Sequence, residues 1–168
     1  MDDAIYFSPD GTSHSLEDVI ARVKDFIKRD EKAYYILTIG SDSEERKRKG
    51  TSEHKMELTT AIVIYKRGYG GTFFYSKNYL EKTKSLRDKI YIEVLASIET
   101  AKHFVPRLRS SLNGQNKRCE LEIHIDVGEQ GKTREMIKEV VGLVSGNGFV
   151  ARTKPYSYAA SNIADKFI

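Results

Sequence analysis

Residues 119–127 read Cys-Glu-Leu-Glu-Ile-His-Ile-Asp-Val, and the alternation in this stretch decides the fold. Successive side chains of a strand point to opposite faces, so Leu121, Ile123, Ile125 and Val127 share one face while Glu120, Glu122, His124 and Asp126 share the other. The pattern predicts a strand with one polar face. Just beyond it, Thr133–Ser145 carries Met136, Ile137, Val140, Val141 and Val144 at helical spacing and closes on Gly146-Asn147-Gly148. A short strand, Phe149–Thr153, follows, and then Pro155 opens a last segment in which Ala159, Ala160, Ile163, Ala164 and Phe167 mark a terminal helix. Strand and helix alternate here, which favours parallel strands joined by right-handed crossovers.

Upstream, Leu86, Ile90, Val94, Ile98, Ala101 and Val105 step by three or four, predicting a long helix from about Ser85 that Pro106 bends or ends. Leu58–Lys66 and Thr72–Tyr79 are β-rich runs joined by Arg67-Gly68-Tyr69-Gly70-Gly71, a connection suited to an antiparallel hairpin. Tyr34–Ile39 is apolar or β-branched on both faces, as a central strand is, and it ends in Gly40-Ser41-Asp42-Ser43 before a polar, basic loop. Ser15–Arg29 is an amphipathic helix with Ser13 or Ser15 as N-cap. The expected fold is α/β: a helix, then β-β-β-α-β-α-β-α, making a mixed five-stranded sheet with helices on both faces. Residues 1–33 are expected as a helical extension packed on a domain spanning 34–168.

A chain of 168 residues with 39% apolar residues builds one core without help from disulfides, and its one cysteine, Cys119, has no internal partner. That usage fits a reducing compartment. No apolar stretch approaches the ~20 residues of a membrane span, and the N-terminus is acidic where a signal peptide is basic. A cytoplasmic protein with no membrane partner is expected. Lys and Arg number 28 against 24 Asp and Glu, a mild excess that permits a polyanionic partner. The cations cluster at Arg46-Lys47-Arg48-Lys49, at Lys82, Lys84, Arg87 and Lys89, and at Lys102, Arg107, Arg109, Lys117 and Arg118. Together these favour a phosphate-contacting surface, although single charge runs are more often solvated faces.

Four acids stand out by position. Asp42 follows the first strand of the domain and Asp126 ends the fourth, and ligands of open α/β sheets gather beyond the carboxyl ends of parallel strands. An isolated aspartate there is more often a turn or helix cap, but two together favour a shared crevice. Glu93 lies at the margin of the long helix's apolar stripe, and Asp165 sits in the last turn of the terminal helix, where the macrodipole disfavours an anion. Converging carboxylates repel unless a divalent cation joins them, and hard oxygen donors select Mg²⁺ or Mn²⁺. Two such ions activate water and stabilise the leaving oxygen in phosphodiester hydrolysis.

The order β-β-β-α-β-α-β-α with acids at these four places resembles the ribonuclease H fold and its Asp-Glu-Asp-Asp metal site. Ile39–Ser43 (IGSDS), Ser85–Glu99, Glu122–Gly142 (EIHIDVGEQGKTREMIKEVVG) and Lys154–Phe167 (KPYSYAASNIADKF) are similar to the YkuK family of ribonuclease H-like proteins, from about Tyr34 to the C-terminus. The resemblance implies Asp42, Glu93, Asp126 and Asp165 as metal ligands of a Mg²⁺- or Mn²⁺-dependent nuclease. The alternative is a nucleic-acid-binding module of the same fold with weak or no catalysis. His124, two residues from Asp126, is a candidate to shuttle a proton or orient water, and Lys154 to neutralise phosphate charge in the transition state. Arg46, Lys47, Arg48, Lys49 and Lys132 are the candidate phosphate contacts. RNA, DNA and hybrid stay open as partners, because that choice depends on groove shape and the 2′-hydroxyl, and the residues fix no oligomeric state.

Other readings fit less well. Asp126–Thr133 sits where a P-loop would, but that motif needs glycine at the position Asp126 holds. Proofreading-type exonucleases place Tyr or His where this chain has Ser161, and actin-like phosphotransferases use the fold twice in a longer chain. Ser41, Ser43 and Ser161 have no Asp-His relay in view, which argues against a serine hydrolase.

Overall fold

The computed structural model describes residues 4–47, 54–113, 119–130 and 133–164. In chain order the strands are β1 (Tyr6–Phe7), β2 (Ser13–His14), β3 (Tyr35–Lys47), β4 (His54–Lys66), β5 (Gly70–Glu81), β6 (Cys119–His124) and β7 (Val150–Arg152), and the helices are α1 (Leu16–Lys28), α2 (Leu86–Ser111) and α3 (Ile137–Gly146). A 3₁₀ turn, Arg134–Met136, leads into α3, and a π-helical segment, Ala159–Ala164, comes last. The strands form one mixed sheet in the order β2-β1-β5-β4-β3-β6-β7. β3, β4 and β5 make an antiparallel meander, while β3–β6 and β6–β7 are parallel.

Alternation along β4 shows how the layers are built. Ile62 and Ile64 join the large core with Val19 and Val23 of α1, Val94 and Phe104 of α2 and Val140 of α3. Ala61 and Val63 face the other way, against Ala159 and Ala164 of the π-helical segment. The three α-helices therefore share one face and the C-terminal segment covers part of the other, so β4 is buried on both sides, as a central strand must be. Ser15, the N-cap of α1, forms a capping box in which its Oγ accepts from Asp18 N–H at 3.1 Å and its own N–H donates to Asp18 Oδ2 at 3.0 Å.

The sheet has seven strands where five were expected. The two additions, β1 and β2, are two residues each and join the sheet through β5, too short to leave a periodic signal in the sequence. β3 does not end at Ile39: it continues to Lys47 because the β4 ladder runs on to the pair Lys47↔His54. Gly40–Ser43 is thus strand interior, and Arg46 and Lys47 belong to a ladder rather than to the expected loop. Pro106 does not end α2, which runs to Ser111; proline forfeits one hydrogen bond there, while Val105 and Leu108 on either side stay buried. No helix among the described residues is long and apolar enough to cross a membrane.

Candidate carboxylate site

The parallel β3–β6 ladder ends at the pair Gly40↔His124. Asp42 and Asp126 each lie two residues beyond it, level with one another past the end of the parallel ladder. Glu93 arrives from α2. Its Oε1 accepts hydrogen bonds from Ser43 Oγ and from Lys89 Nζ, both at 2.7 Å. The same Lys89 Nζ donates to Asp42 Oδ1 at 3.2 Å, and Asp42 Oδ1 also accepts from the Ser43 N–H at 2.9 Å. One ammonium therefore bridges carboxylates from a strand and a helix.

A relay of hydroxyls locks these two elements together. Ser97 Oγ donates to the Glu93 carbonyl at 3.1 Å, which spends its only proton. Ser41 Oγ, 2.9 Å away, must then donate to Ser97, and Thr60 Oγ1, 2.8 Å from Ser41, must donate to Ser41. β4, β3 and α2 are tied through buried side chains one residue from Asp42.

Burial pushes the Glu93 carboxyl up to about 7, although Lys89 and Ser43 pull it back. Burial likewise raises Asp42, against the pull of Lys89, and the nearby Asp126 charge adds to the rise. Burial would lower the Lys89 ammonium, but Glu93 and then Asp42 hold it above its ordinary value, so it stays charged. Asp126 Oδ1 is shielded from solvent and receives no well-formed hydrogen bond; Lys154 Nζ lies 3.0 Å from it. Lys154 is held there by the chain, since its N–H donates to the Val127 carbonyl at 2.8 Å. Among the described residues no three Asp, Glu, His or Cys side chains close on a single point.

His124 is buried beside this site with both ring nitrogens engaged. Nδ1 accepts from the Ala159 N–H at 3.2 Å, leaving Nε2 to donate to Glu122 Oε2 at 3.2 Å. Glu122 in turn takes Arg152 Nε at 2.8 Å, and the Tyr158 ring packs edge-on to the imidazole with centroids 4.5 Å apart. The imidazole thus joins β6 to the C-terminal segment, and burial holds its pKa below the ordinary value.

Four described cations of the expected phosphate surface have acidic neighbours: Arg46 with Glu44 at 3.4 Å, Lys82 with Glu45 at 3.0 Å, Arg87 with Glu139 at 2.7 Å and Arg107 with Glu17 at 3.3 Å. Exposed pairs of this kind are weak and readily exchanged for phosphate. The side chain of Lys47, and Arg48, Lys49, Lys132 and Asp165, lie outside the described residues. From the sequence, Lys89 is one of the clustered cations that favour a phosphate-contacting surface, and Ser97 has no role. The i,i+4 spacing of Lys89 and Glu93 was the one available signal, and it marks only a helical ion pair.

Residues 18–168 match the family model described as Ribonuclease H-like. Over 99% of this chain and 98% of the other, the sequence is 28% identical to "Uncharacterized protein YkuK" of Bacillus subtilis (strain 168). No solved structure matches the chain.

Proposed function

Because this chain belongs to the ribonuclease H-like family, in its YkuK branch, we propose that it is a nuclease that hydrolyses phosphodiester bonds with the help of Mg²⁺ or Mn²⁺. The observation that carries this reading is the meeting of Asp42 and Glu93 on one cation, Lys89 Nζ, with the Asp126 charge felt at Asp42. The donor set fits a hard divalent ion: all are carboxylate oxygens, burial penalises the ionisation of Asp42 and Glu93, and Asp126 Oδ1 is shielded from water without a well-formed hydrogen bond. Asp42, Glu93 and Asp126 would hold it, with Asp165 as the fourth carboxylate. When bound, a divalent ion held there would acidify a water and offset charge on the leaving oxygen.

The chain's own residues do the rest. Ser43 Oγ fixes the Glu93 carboxylate, and the Thr60-Ser41-Ser97 relay keeps α2 and β3 from moving apart. Lys154, half-exposed and 3.0 Å from Asp126, is placed to neutralise a phosphate oxygen. His124 serves as a positioning residue, because its engaged ring nitrogens leave none to move a proton while its Nδ1 holds the segment that leads to Asp165.

A nucleic-acid-binding module with weak or no catalysis is the second reading, and one observation favours it: Lys89 and Lys154 already pair with Asp42, Glu93 and Asp126. Incubating the protein with single-stranded, duplex, hybrid and branched RNA and DNA, with Mg²⁺, Mn²⁺ or chelator, separates the two. Cleavage that requires the metal and is lost in Asp42→Asn supports the nuclease. Cleavage indifferent to chelator removes the metal role, and retained binding without cleavage selects the module.

A further inference from the structure

Resting on the nuclease reading, we propose that the cavity beside Asp126 is a nucleobase subsite, where an unpaired base of the substrate stacks on Tyr156 and turns its edge to Glu129 and Gln130. The cavity holds about 670 Å³ and is walled by Gly128, Glu129 and Gln130 after β6 and by Lys154, Pro155 and Tyr156 after β7. Small-molecule sites span about 300–1,000 Å³, so a nucleoside fits. Lys154 ties this cavity to the carboxylates. Its stem packs so closely on Gly128 that an added Cβ there would lie 3.2 Å from Lys154 Cβ, while its Nζ reaches Asp126. A phosphate neutralised by Lys154 therefore leaves its own nucleoside at the mouth of the cavity.

Tyr156 is 72% exposed, and its ring makes no aromatic or cation contact among the described residues. Its backbone is nonetheless held in a turn, the N–H donating to the Thr153 carbonyl at 2.9 Å. Tyr156 thus offers a large flat face at the cavity mouth, and stacking of a base on such a face tolerates any sequence. The opposite wall decides which part of a nucleotide enters. Glu129 repels a phosphate but accepts hydrogen bonds from the exocyclic amino groups of adenine, cytosine and guanine, and the Gln130 amide both donates and accepts. Uracil and thymine offer Glu129 one ring N3–H and no amino group, and so a poorer match. A paired base has its edge engaged, so the occupant is a base from a single strand or a frayed end.

The chain contains no tryptophan, so Tyr156→Trp supplies a single indole that reports stacking directly. Ten-nucleotide oligo(A), oligo(C) and oligo(U), as RNA and DNA, are titrated with Ca²⁺ in place of Mg²⁺, following fluorescence anisotropy of the labelled strand and the indole emission together. Oligo(A) and oligo(C) should bind more tightly than oligo(U) and quench the indole. Tyr156→Ala should weaken oligo(A) by about 5- to 150-fold, the loss expected for one base–aromatic stack, with Tyr156→Phe close to wild type. Glu129→Gln should narrow the preference for oligo(A) over oligo(U). Strands that bind the wild type and Tyr156→Ala equally, without quenching the indole, overturn the subsite and leave the nuclease reading standing. Failure of every strand to bind the wild type overturns the subsite alone, since the nuclease reading is decided by the duplex, hybrid and branched substrates as well.

Discussion

Lys89 puts a positive charge where two carboxylates meet, 3.2 Å from Asp42 Oδ1 and 2.7 Å from Glu93 Oε1. A divalent ion on the same oxygens competes with it directly. Lys89→Met keeps the stem and removes the charge, so in chelator the variant should lose about 1–3 kcal/mol, because a partly buried carboxylate pair is left uncompensated. Titrating Mn²⁺ while following thermal melting should then show tighter binding and a larger rise in Tm than in wild type. Equal Mn²⁺ affinity in the two proteins would place the ion elsewhere. Cys119 makes a separate expectation. Burial pushes its thiol up to about 11, against a smaller opposing effect of Arg109. At pH 8 the thiolate fraction is about a hundredfold below that of a thiol near 9, so alkylation of the folded protein should be slower by about that factor. Between pH 9 and 11 the folded chain keeps a proton that the unfolded chain releases. This group's contribution to stability is therefore full below 9 and falls as pH rises toward 11.

At the scale of elements, the meander depends on the close approach of β5 to β4. A Cβ added at Gly71 would stand 2.3 Å from the Ile64 carbonyl oxygen, which is backbone and has nowhere to go. Gly71→Ala should force the two strands apart and cost about 1–3 kcal/mol in a denaturant melt. Ser97→Ala tests the lock between α2 and β3: losing the proton acceptor for Ser41 should cost about 1–2 kcal/mol, with cleavage falling more than binding if Glu93 shifts. These elements differed in how plainly the sequence announced them. β6 was legible because apolar and polar side chains alternate strictly along it, although Glu122 and His124 on the polar face are buried too, and α1 because a capping serine precedes a clean apolar stripe. β1 and β2 were not, since two residues carry no period. The far half of β3 was hidden because Ser-Glu-Glu-Arg-Lys reads as loop; only its long pairing with β4 makes it strand. At Pro106 the sequence left a bend or an end open, and α2 runs on to Ser111 because it keeps a buried face on both sides of the proline.

Across the whole molecule, parallel topology is what made the candidate site readable. Once β3 and β6 are taken as parallel neighbours, acids just past the end of their shared ladder must come close, and Asp42 does feel the Asp126 charge. Lys89 escaped because residue type and spacing assign a cation to any acid four residues away, and only three-dimensional packing adds the second carboxylate from another element. The sharpest test of the assembled site is therefore one that distinguishes a cluster from its separate members. If Asp126 is only a turn residue, Asn replaces it almost as well, and Asp126→Asn should change neither melting nor cleavage. As one of several converging carboxylates, it repels Asp42 while holding Lys154, whose side chain is 50% exposed and whose ion pair is worth at most about 1 kcal/mol. Those effects oppose, so the melting of the metal-free variant should stay within about 1 kcal/mol of wild type. The rise in stability on adding Mn²⁺ should shrink, because that rise measures how tightly the folded state holds the ion, and cleavage should collapse with it. Asp42→Asn and Glu93→Gln should share this loss, and the double variants should lose little more than the single ones, since groups that act on one ion are not additive. A variant of Asp126 that melts early in chelator yet cleaves normally would assign this carboxylate to the scaffold.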